Sequence, residues 1–309
     1  MFFEGSEKKA EIIIDPSFGS LLELPVSFWE NIVGLAKADI LSSIDNEHCT
    51  AYLLSESSLF VWQHKVVILT CGLSTLIDSI CALIDTVGSP NILGVTYQRK
   101  NEYLAHLQNS TFEQDIQVLR QKVPGSACRI GHLDTHHHYI FTSHSSVALP
   151  YQDNRYELLM YHISGPIAQY LTTADQSIEK IAQLLQLDKL FNGFQLDAHL
   201  FNPCGYSVNG IKGDEYFTIH ITPQEKSSYV SIETNVDLHL QPINITAKLL
   251  ALLQPQSWDI KAFNSDIQTG EIPENICLGH CFYSLKQGYN IQFSHYQQIC
   301  SEVLTPEFM

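Results

Sequence analysis

What constrains this chain most is the number of short segments with strand character spread along its whole length. Residues 10–14, 50–54, 59–62, 65–71, 92–98, 127–133, 139–143, 157–163, 195–201, 216–222, 228–234 and 290–295 all qualify. Many are rich in Val, Ile, Thr and Tyr, and several alternate apolar with polar positions. Helical spacing interrupts them. Ser27 with Glu30 has the form of a capping box ahead of Ile32, Val33, Leu35, Ala36 and Ile40. Ser110 with Glu113 repeats it ahead of Ile116, Val118 and Leu119. Residues 74–85, 176–187 and 246–253 are the other predicted helices. Strands outnumber helices, and the two do not alternate strictly. That pattern predicts an α+β fold with antiparallel sheets. No repeat, low-complexity stretch or long linker is visible, and the length allows one large domain or two ordinary ones.

Composition narrows the class. With 309 residues, 45% hydrophobic and 16% charged, the chain can bury a sizeable core and does not have a disordered composition. The formal net charge is −16, and no Lys/Arg cluster offsets it. Such a chain repels phosphate backbones, which argues against nucleic acid and biases it weakly toward cationic ligands. No apolar run approaches the ~18 residues of a membrane helix, and the N-terminus has no basic flank leading into an apolar stretch. Neither a membrane span nor a secretory signal is predicted. Cysteines stand at 49, 71, 81, 128, 204, 277, 281 and 300. They are too scattered for a secreted disulfide framework, so reduced thiols and a cytoplasmic location are expected.

Chemistry concentrates in four segments. Leu54-Ser55-Glu56-Ser57-Ser58-Leu59-Phe60 lies between two strands and by itself is a turn. Thr70-Cys71-Gly72 closes an apolar strand, where a cysteine is ordinarily a small buried hydrophobe. Phe201-Asn202-Pro203-Cys204-Gly205-Tyr206-Ser207-Val208-Asn209-Gly210 is a turn by default. Tyr216-Phe217-Thr218-Ile219-His220-Ile221-Thr222-Pro223, followed by 229–235, sets one histidine in a strand. Two further stretches join them: Phe2-Phe3-Glu4-Gly5-Ser6-Glu7-Lys8 and Tyr97-x-Arg99-Lys100-Asn101. Taken together and in this order, the six resemble the eukaryotic S-adenosylmethionine decarboxylase family, from residue 2 to about residue 235.

The resemblance implies a single domain, residues 1–309, built as a four-layer α/β/β/α sandwich with two antiparallel sheets. It also implies a proenzyme that cuts itself at Glu56-Ser57 into a β chain, 1–56, and an α chain, 57–309. Decarboxylating an α-amino acid leaves a carbanion for which side chains offer no electron sink, so a carbonyl cofactor must form an imine and take up the charge. By the resemblance this is a pyruvoyl group made from Ser57. Its hydroxyl attacks the Glu56 carbonyl, the amide becomes an ester, and elimination and hydrolysis follow. A strained Glu56–Ser57 turn with oxyanion donors is therefore expected. The resemblance makes His220 the base of the elimination, a task suited to imidazole. It makes Ser207 a helper in processing and Cys71 the acid that protonates the product carbon. Phe3 and Phe201 would sandwich the adenine of S-adenosylmethionine, with Glu56 also at the substrate. Glu4 and Glu7 would support catalysis and processing; without the resemblance they read as a solvated charged face.

Two departures matter. Gln224 stands where the family has a glutamate that binds the ribose hydroxyls, so a charge-assisted bond is lost. Glu11, Asp153, Glu157 and Glu233 match a buried acidic site that binds putrescine in animal members, and such a site requires positive charge. A lysine of that site is Leu69 here, an aromatic is Thr96 and a threonine is Arg155. Plant members use arginine in place of the diamine. Arg155 is expected to fill part of that role, with activity weakly dependent on putrescine or independent of it; its ordinary reading is a surface residue. Expected partners are S-adenosylmethionine, the β and α chains of one precursor, and a second αβ unit in a homodimer.

No metal is predicted. His136-His137-His138, with His132 and Asp134 nearby, would point in different directions. Cys277-Leu278-Gly279-His280-Cys281 lacks the second half of a zinc motif. Two other functions compete: a non-catalytic regulatory paralogue acting through dimerisation, and a decarboxylase of another amino acid, suggested by Gln224.

Overall fold

The computed structural model describes residues 5–144, 154–224, 227–267, 275–284 and 290–299. Their strands form two eight-stranded antiparallel sheets. The first runs β2 (Ile40–Asp45), β3 (Cys49–Leu54), β4 (Ser57–Trp62), β5 (Lys65–Thr70), β1 (Lys8–Ile14), β6 (Ile92–Lys100), β8 (His137–Ser143), β7 (Gly125–Gly131). The second runs β10 (Gln195–Leu200), β11 (Tyr206–Lys212), β12 (Glu215–Thr222), β13 (Tyr229–Thr234), β9 (Arg155–Tyr161), β14 (Ser257–Phe263), β16 (Asn290–Gln298), β15 (Asn275–Ser284). The two orders are the same when the second sheet is renumbered from its own first strand. This is a repeat of topology without a visible repeat of sequence, because a sheet order constrains the pattern of facing residues and not their identity.

Helices α1 (Val26–Leu35), α2 (Leu76–Val87) and α3 (Phe112–Lys122) cover the outer face of the first sheet. Trp29, Ile80, Leu83 and Leu119 pack there with Ala10, Ile12 and Ile68. Helices α4 (Gly165–Tyr170), α5 (Ile178–Leu184), α6 (Leu187–Leu190) and α7 (Ile245–Leu253) cover the second. Ile181, Leu190 and Leu249 pack there with Val208, Phe217 and Ile260. The inner faces meet, giving the expected α/β/β/α layers. β1 shows how period two builds them. Ala10, Ile12 and Ile14 join the helices, while Lys9, Glu11 and Ile13 meet the second sheet. All seven residues of β1 are buried.

The twelve expected strands are present with slightly different ends, and β2, β11, β14 and β15 are additional. β11 occupies the stretch expected to be a turn. Its Asn-Gly lies within the strand because Gly210 sits opposite Phe217, whose ring comes within 2.1 Å of the place a Cβ would take. Ile40 opens β2 and does not extend the first helix, which stops at Leu35; Lys37 then has φ 62°. The capping boxes also differ. α1 starts after Pro25 with no side-chain cap, so Ser27 is inside it. α3 is capped by Thr111 with Gln114, one residue later than expected, and Ser110 donates instead to Asp115. The helix expected over 176–187 breaks at Gln186, φ 56°, into α5 and α6, and α4 was not predicted. Among the described residues no helix is long and apolar enough to cross a membrane.

Candidate active site

β3 and β4 are joined by the two-residue turn Ser55-Glu56, with Leu54 opposite Ser57. Such tight turns usually rely on Gly or Asn at positive φ. Here the positive φ falls on Ser57, at 141°, in a region nearly reserved for glycine that costs roughly 1–3 kcal/mol. The Glu56 carbonyl oxygen accepts the Cys71 backbone N–H at 3.0 Å and the Cys71 thiol at 3.2 Å. Ser57 Oγ lies 2.9 Å from His220 Nε2, and Ser207 Oγ lies 2.7 Å from His220 Nδ1. Ser57 starts β4, Cys71 follows β5, and Ser207 and His220 are opposite one another on β11 and β12. The two sheets thus bring Glu56, Ser57, Cys71, Ser207 and His220 together at one end of the sandwich. The arrangement holds a nucleophile, a base and two donors on the adjoining carbonyl.

Burial pushes the His220 imidazole down to about 3, so it is neutral, with one ring nitrogen carrying a free lone pair. Burial raises the Glu56 carboxyl, against the nearby charge of Lys8. Lys8 is anchored to the Gly72 carbonyl at 3.3 Å, the Ser74 carbonyl at 3.0 Å and Gln108 Oε1 at 2.7 Å. Burial and the Arg99 charge bring it down to about 8. Phe201, half-buried after β10, donates its backbone N–H to Gly205 at 2.9 Å. Gly205 has φ 149°, and a Cβ there would stand 3.2 Å from Phe201 Cβ. Gln224, just beyond β12, accepts Ser227 Oγ at 3.2 Å. Both residues lie at the Ser57 end. Glu7 is no solvated face. It accepts the hydroxyl of Ser231, the β13 partner of His220, and its carboxyl is raised to about 7 by burial and by Glu233, against the Ser231 bond. Phe3, Glu4 and Asp153 lie outside the described residues.

A second polar group fills the space between the sheets. Arg155 Nη1 meets Glu11 at 2.8 Å and its Nε lies 3.5 Å from Glu157. Lys9 pairs with Glu157 and Glu233, and Lys261 pairs with Glu157. Lys261 also donates to Gln98 at 2.8 Å, and Tyr216 donates to Glu233. Arg155 is 4% exposed, so its reading as a surface residue is wrong: β9 is an inner strand of the second sheet, and Arg155 meets Glu11 of the first. Burial opposes the Glu157 charge, but Lys261, Lys9 and Arg155 outweigh it and hold the carboxyl well below its ordinary range. Among the described residues, Glu11, Glu157 and Glu233 face the three cations Lys9, Arg155 and Lys261. Sequence reasoning missed Lys9 and Lys261. Lys9 stands opposite Leu69 on β5, and Glu11 opposite Thr96 on β6. In β14, Trp258, Ile260 and Ala262 face the helices, which leaves Asp259 and Lys261 for the inner face; that alternation was the available signal.

The consecutive histidines diverge. His138 reaches Asp259 across the sheets at 3.0 Å, a carboxylate that also takes His295 and Tyr161 at 2.6 Å each, while the His136 ring stacks on Tyr161. Among the described residues no group of three or more His, Cys, Asp or Glu is arranged to hold a metal.

The sequence family described as adenosylmethionine decarboxylase matches residues 1–303. Similar curated relatives are named S-adenosylmethionine decarboxylase proenzyme. That of Leishmania donovani is 28% identical over 84% of this chain and 73% of its own. That of Dictyostelium discoideum is 28% identical over 97% and 87%, and that of Xenopus laevis 30% over 83% and 82%. The crystal structure of the Trypanosoma brucei AdoMetDC-delta26 monomer is similar in fold, with a TM-score of 0.60 and 24% identity, covering 78% of this chain and 98% of that one.

Proposed function

As the chain belongs to the adenosylmethionine decarboxylase family, we propose that it cuts itself between Glu56 and Ser57 and then decarboxylates S-adenosylmethionine to the aminopropyl donor of polyamine synthesis. The observation that carries the self-cleavage is the Ser57 hydroxyl at 2.9 Å from a neutral His220 Nε2, beside a carbonyl already held by Cys71. We assign His220 the Ser57 proton during attack and the Cα proton during elimination, with Ser207 fixing the ring through Nδ1. The Cys71 N–H and thiol stabilise the oxyanion at Glu56. Strain at Ser57 of roughly 1–3 kcal/mol is worth at most about 150-fold in rate. The base and the oxyanion donors must therefore carry the larger part.

The pyruvoyl group that cleavage would leave on the α chain supplies the electron sink for decarboxylation. The residues fit its formation from Ser57: a neutral base and a carbonyl with two donors are both at hand. We assign Cys71 the return of a proton to the product carbon, Phe201 one face of the adenine, and Gln224 the ribose hydroxyls through neutral hydrogen bonds. Glu7 links this site to the charged group through Ser231. We read the whole chain as one domain whose two fragments stay together, because β1 of the β chain lies between β5 and β6 of the α chain.

Among the described residues, three carboxylates face three cations, so the charges there balance without a diamine. We therefore expect activity independent of putrescine, with Lys9 supplying across the ladder the charge absent at Leu69. A large rise in turnover on adding putrescine would reject this. The retained nucleophile, base and helper favour an active enzyme over a non-catalytic paralogue. Denaturing electrophoresis tests the central reading. The purified protein should run as two chains of about 6 and 29 kDa, scaled from 34.9 kDa for 309 residues, and Ser57→Ala should run as one.

A further inference from the structure

Asn209, on β11, is completely buried. Its side-chain N–H donates to the Tyr52 carbonyl at 3.2 Å, which fixes the orientation of the amide. Oδ1 therefore faces two hydroxyls: Ser58 donates to it at 2.6 Å and Thr218 at 2.9 Å. A hydroxyl has one proton. The two hydroxyls also lie 3.3 Å from each other, but with both protons committed to Asn209, Ser58 and Thr218 can show only lone pairs to the one ring atom they share. That atom is His220 Nε2, 3.3 Å from Ser58 Oγ and 2.8 Å from Thr218 Oγ1. The third hydroxyl on Nε2, Ser57 at 2.9 Å, makes no other hydrogen bond among the described residues.

We propose that Asn209 is a positioning residue for the self-cleavage: it draws the Ser58 and Thr218 protons away from His220, so that Nε2 receives the Ser57 proton alone, and the two hydroxyl oxygens then accept the N–H so formed. This rests on the reading of Ser57 and His220 as nucleophile and base. In the resting state Nδ1–H donates to Ser207. As Ser57 Oγ bonds to the Glu56 carbonyl carbon, its proton passes to Nε2 and the carbonyl π pair moves onto oxygen. When the adduct collapses, the C–N bond breaks, its electrons stay on the Ser57 nitrogen, and that nitrogen takes the proton back from Nε2. Among the described residues, every atom hydrogen-bonded to the ring is a hydroxyl oxygen, so its proton affinity depends on which way those hydroxyls turn.

The test uses the full-length chain. Thr218→Val removes an acceptor of the transferred proton and should slow self-cleavage by about 10- to 150-fold, the range for one hydrogen bond to a charged group. Thr218→Ser should restore most of the rate, and Asn209→Ala should resemble Thr218→Val. A spectroscopic arm excludes a merely structural effect. In uncut Ser57→Ala, Nε2 has lost its sole donor, so the proton should sit on Nε2, and 15N NMR should show a protonated-type Nε2 resonance. Adding Asn209→Ala frees the two hydroxyl protons to turn toward Nε2, and that resonance should become the unprotonated type. The same Nε2 state in both chains, or parent-rate cleavage in Thr218→Val, would overturn the role of Asn209. Cleavage of Ser57→Ala itself would instead sink the reading of the nucleophile. If Asn209→Ala does not fold, the Thr218 pair alone decides.

Discussion

Replacing Lys261 with methionine would leave the buried charge group one cation short. Lys261 is 3% exposed and pairs with Glu157. Removing one partner of a buried pair costs about 3–5 kcal/mol because the remaining charge is uncompensated. Lys9 and Arg155 still touch Glu157, so the lower end, about 3 kcal/mol, is expected. For 309 residues the unfolding entropy is about 0.65 kcal/mol/K, which makes this loss a fall of about 5 °C in Tm. The assay is thermal unfolding in a Ser57→Ala background, where a single chain unfolds. Lys122→Met is the control. Its pair with Asp85, at 2.7 Å, is open to solvent and should shift Tm by less than about 2 °C. Putrescine at 100 times its Kd would return about 2.7 kcal/mol to Lys261→Met, or about 4 °C, and do little to the parent. A Lys261→Met protein melting with its parent, or a parent stabilised as strongly by putrescine, would refute the reasoning.

Other outcomes follow from the same geometry. His220→Ala should leave the chain uncut over a time course that processes the parent, a loss of at least about 10²-fold, read on denaturing gels. Cys71→Ala should slow self-cleavage by roughly 10- to 100-fold because one of two carbonyl donors remains. Burial holds His136, His138 and His220 at about 3, 4 and 3. The unfolded chain takes up these protons below pH ~6.5, so their contribution is complete above that pH and Tm should fall as pH drops from 6.5 toward 4. Glu7 acts in the opposite sense. Its carboxyl is raised to about 7, so its contribution is present below pH ~4.5 and is lost as pH rises through 7. Glu7→Gln should accordingly be more stable than the parent by about 3 kcal/mol at pH 8 and nearly equal to it at pH 4 by chemical denaturation.

Where both faces of a strand are buried, alternation is present in the structure but disguised in the sequence. β1 reads Lys-Lys-Ala-Glu-Ile-Ile-Ile and is buried throughout; its apolar half is enough to mark a strand. β14 reads Ser-Trp-Asp-Ile-Lys-Ala-Phe and is buried throughout as well, yet its two charges suggest a loop unless the facing sheet is known. The acids Glu11, Glu157 and Glu233 were legible by resemblance. Their lysine partners were not, because Lys9 and Lys261 reach Glu157 from different sheets. Ser57, Cys71, Ser207 and His220 were found together because each sits in a distinctive local run. Asn209 stayed hidden, since its Asn-Gly context reads as a turn until Phe217 is seen covering Gly210. The capping box of α3 was misjudged by one residue because Ser110-Glu113 and Thr111-Gln114 both fit the pattern and only the backbone direction chooses.

The most direct measurement is the intact mass of the freshly purified protein with sequencing of its large fragment. We predict two chains, 1–56 and 57–309, the larger with a blocked amino end and lighter by one ammonia than a fragment beginning with free serine. An intact 309-residue chain, or a large fragment with a free Ser57 amine, would contradict the account.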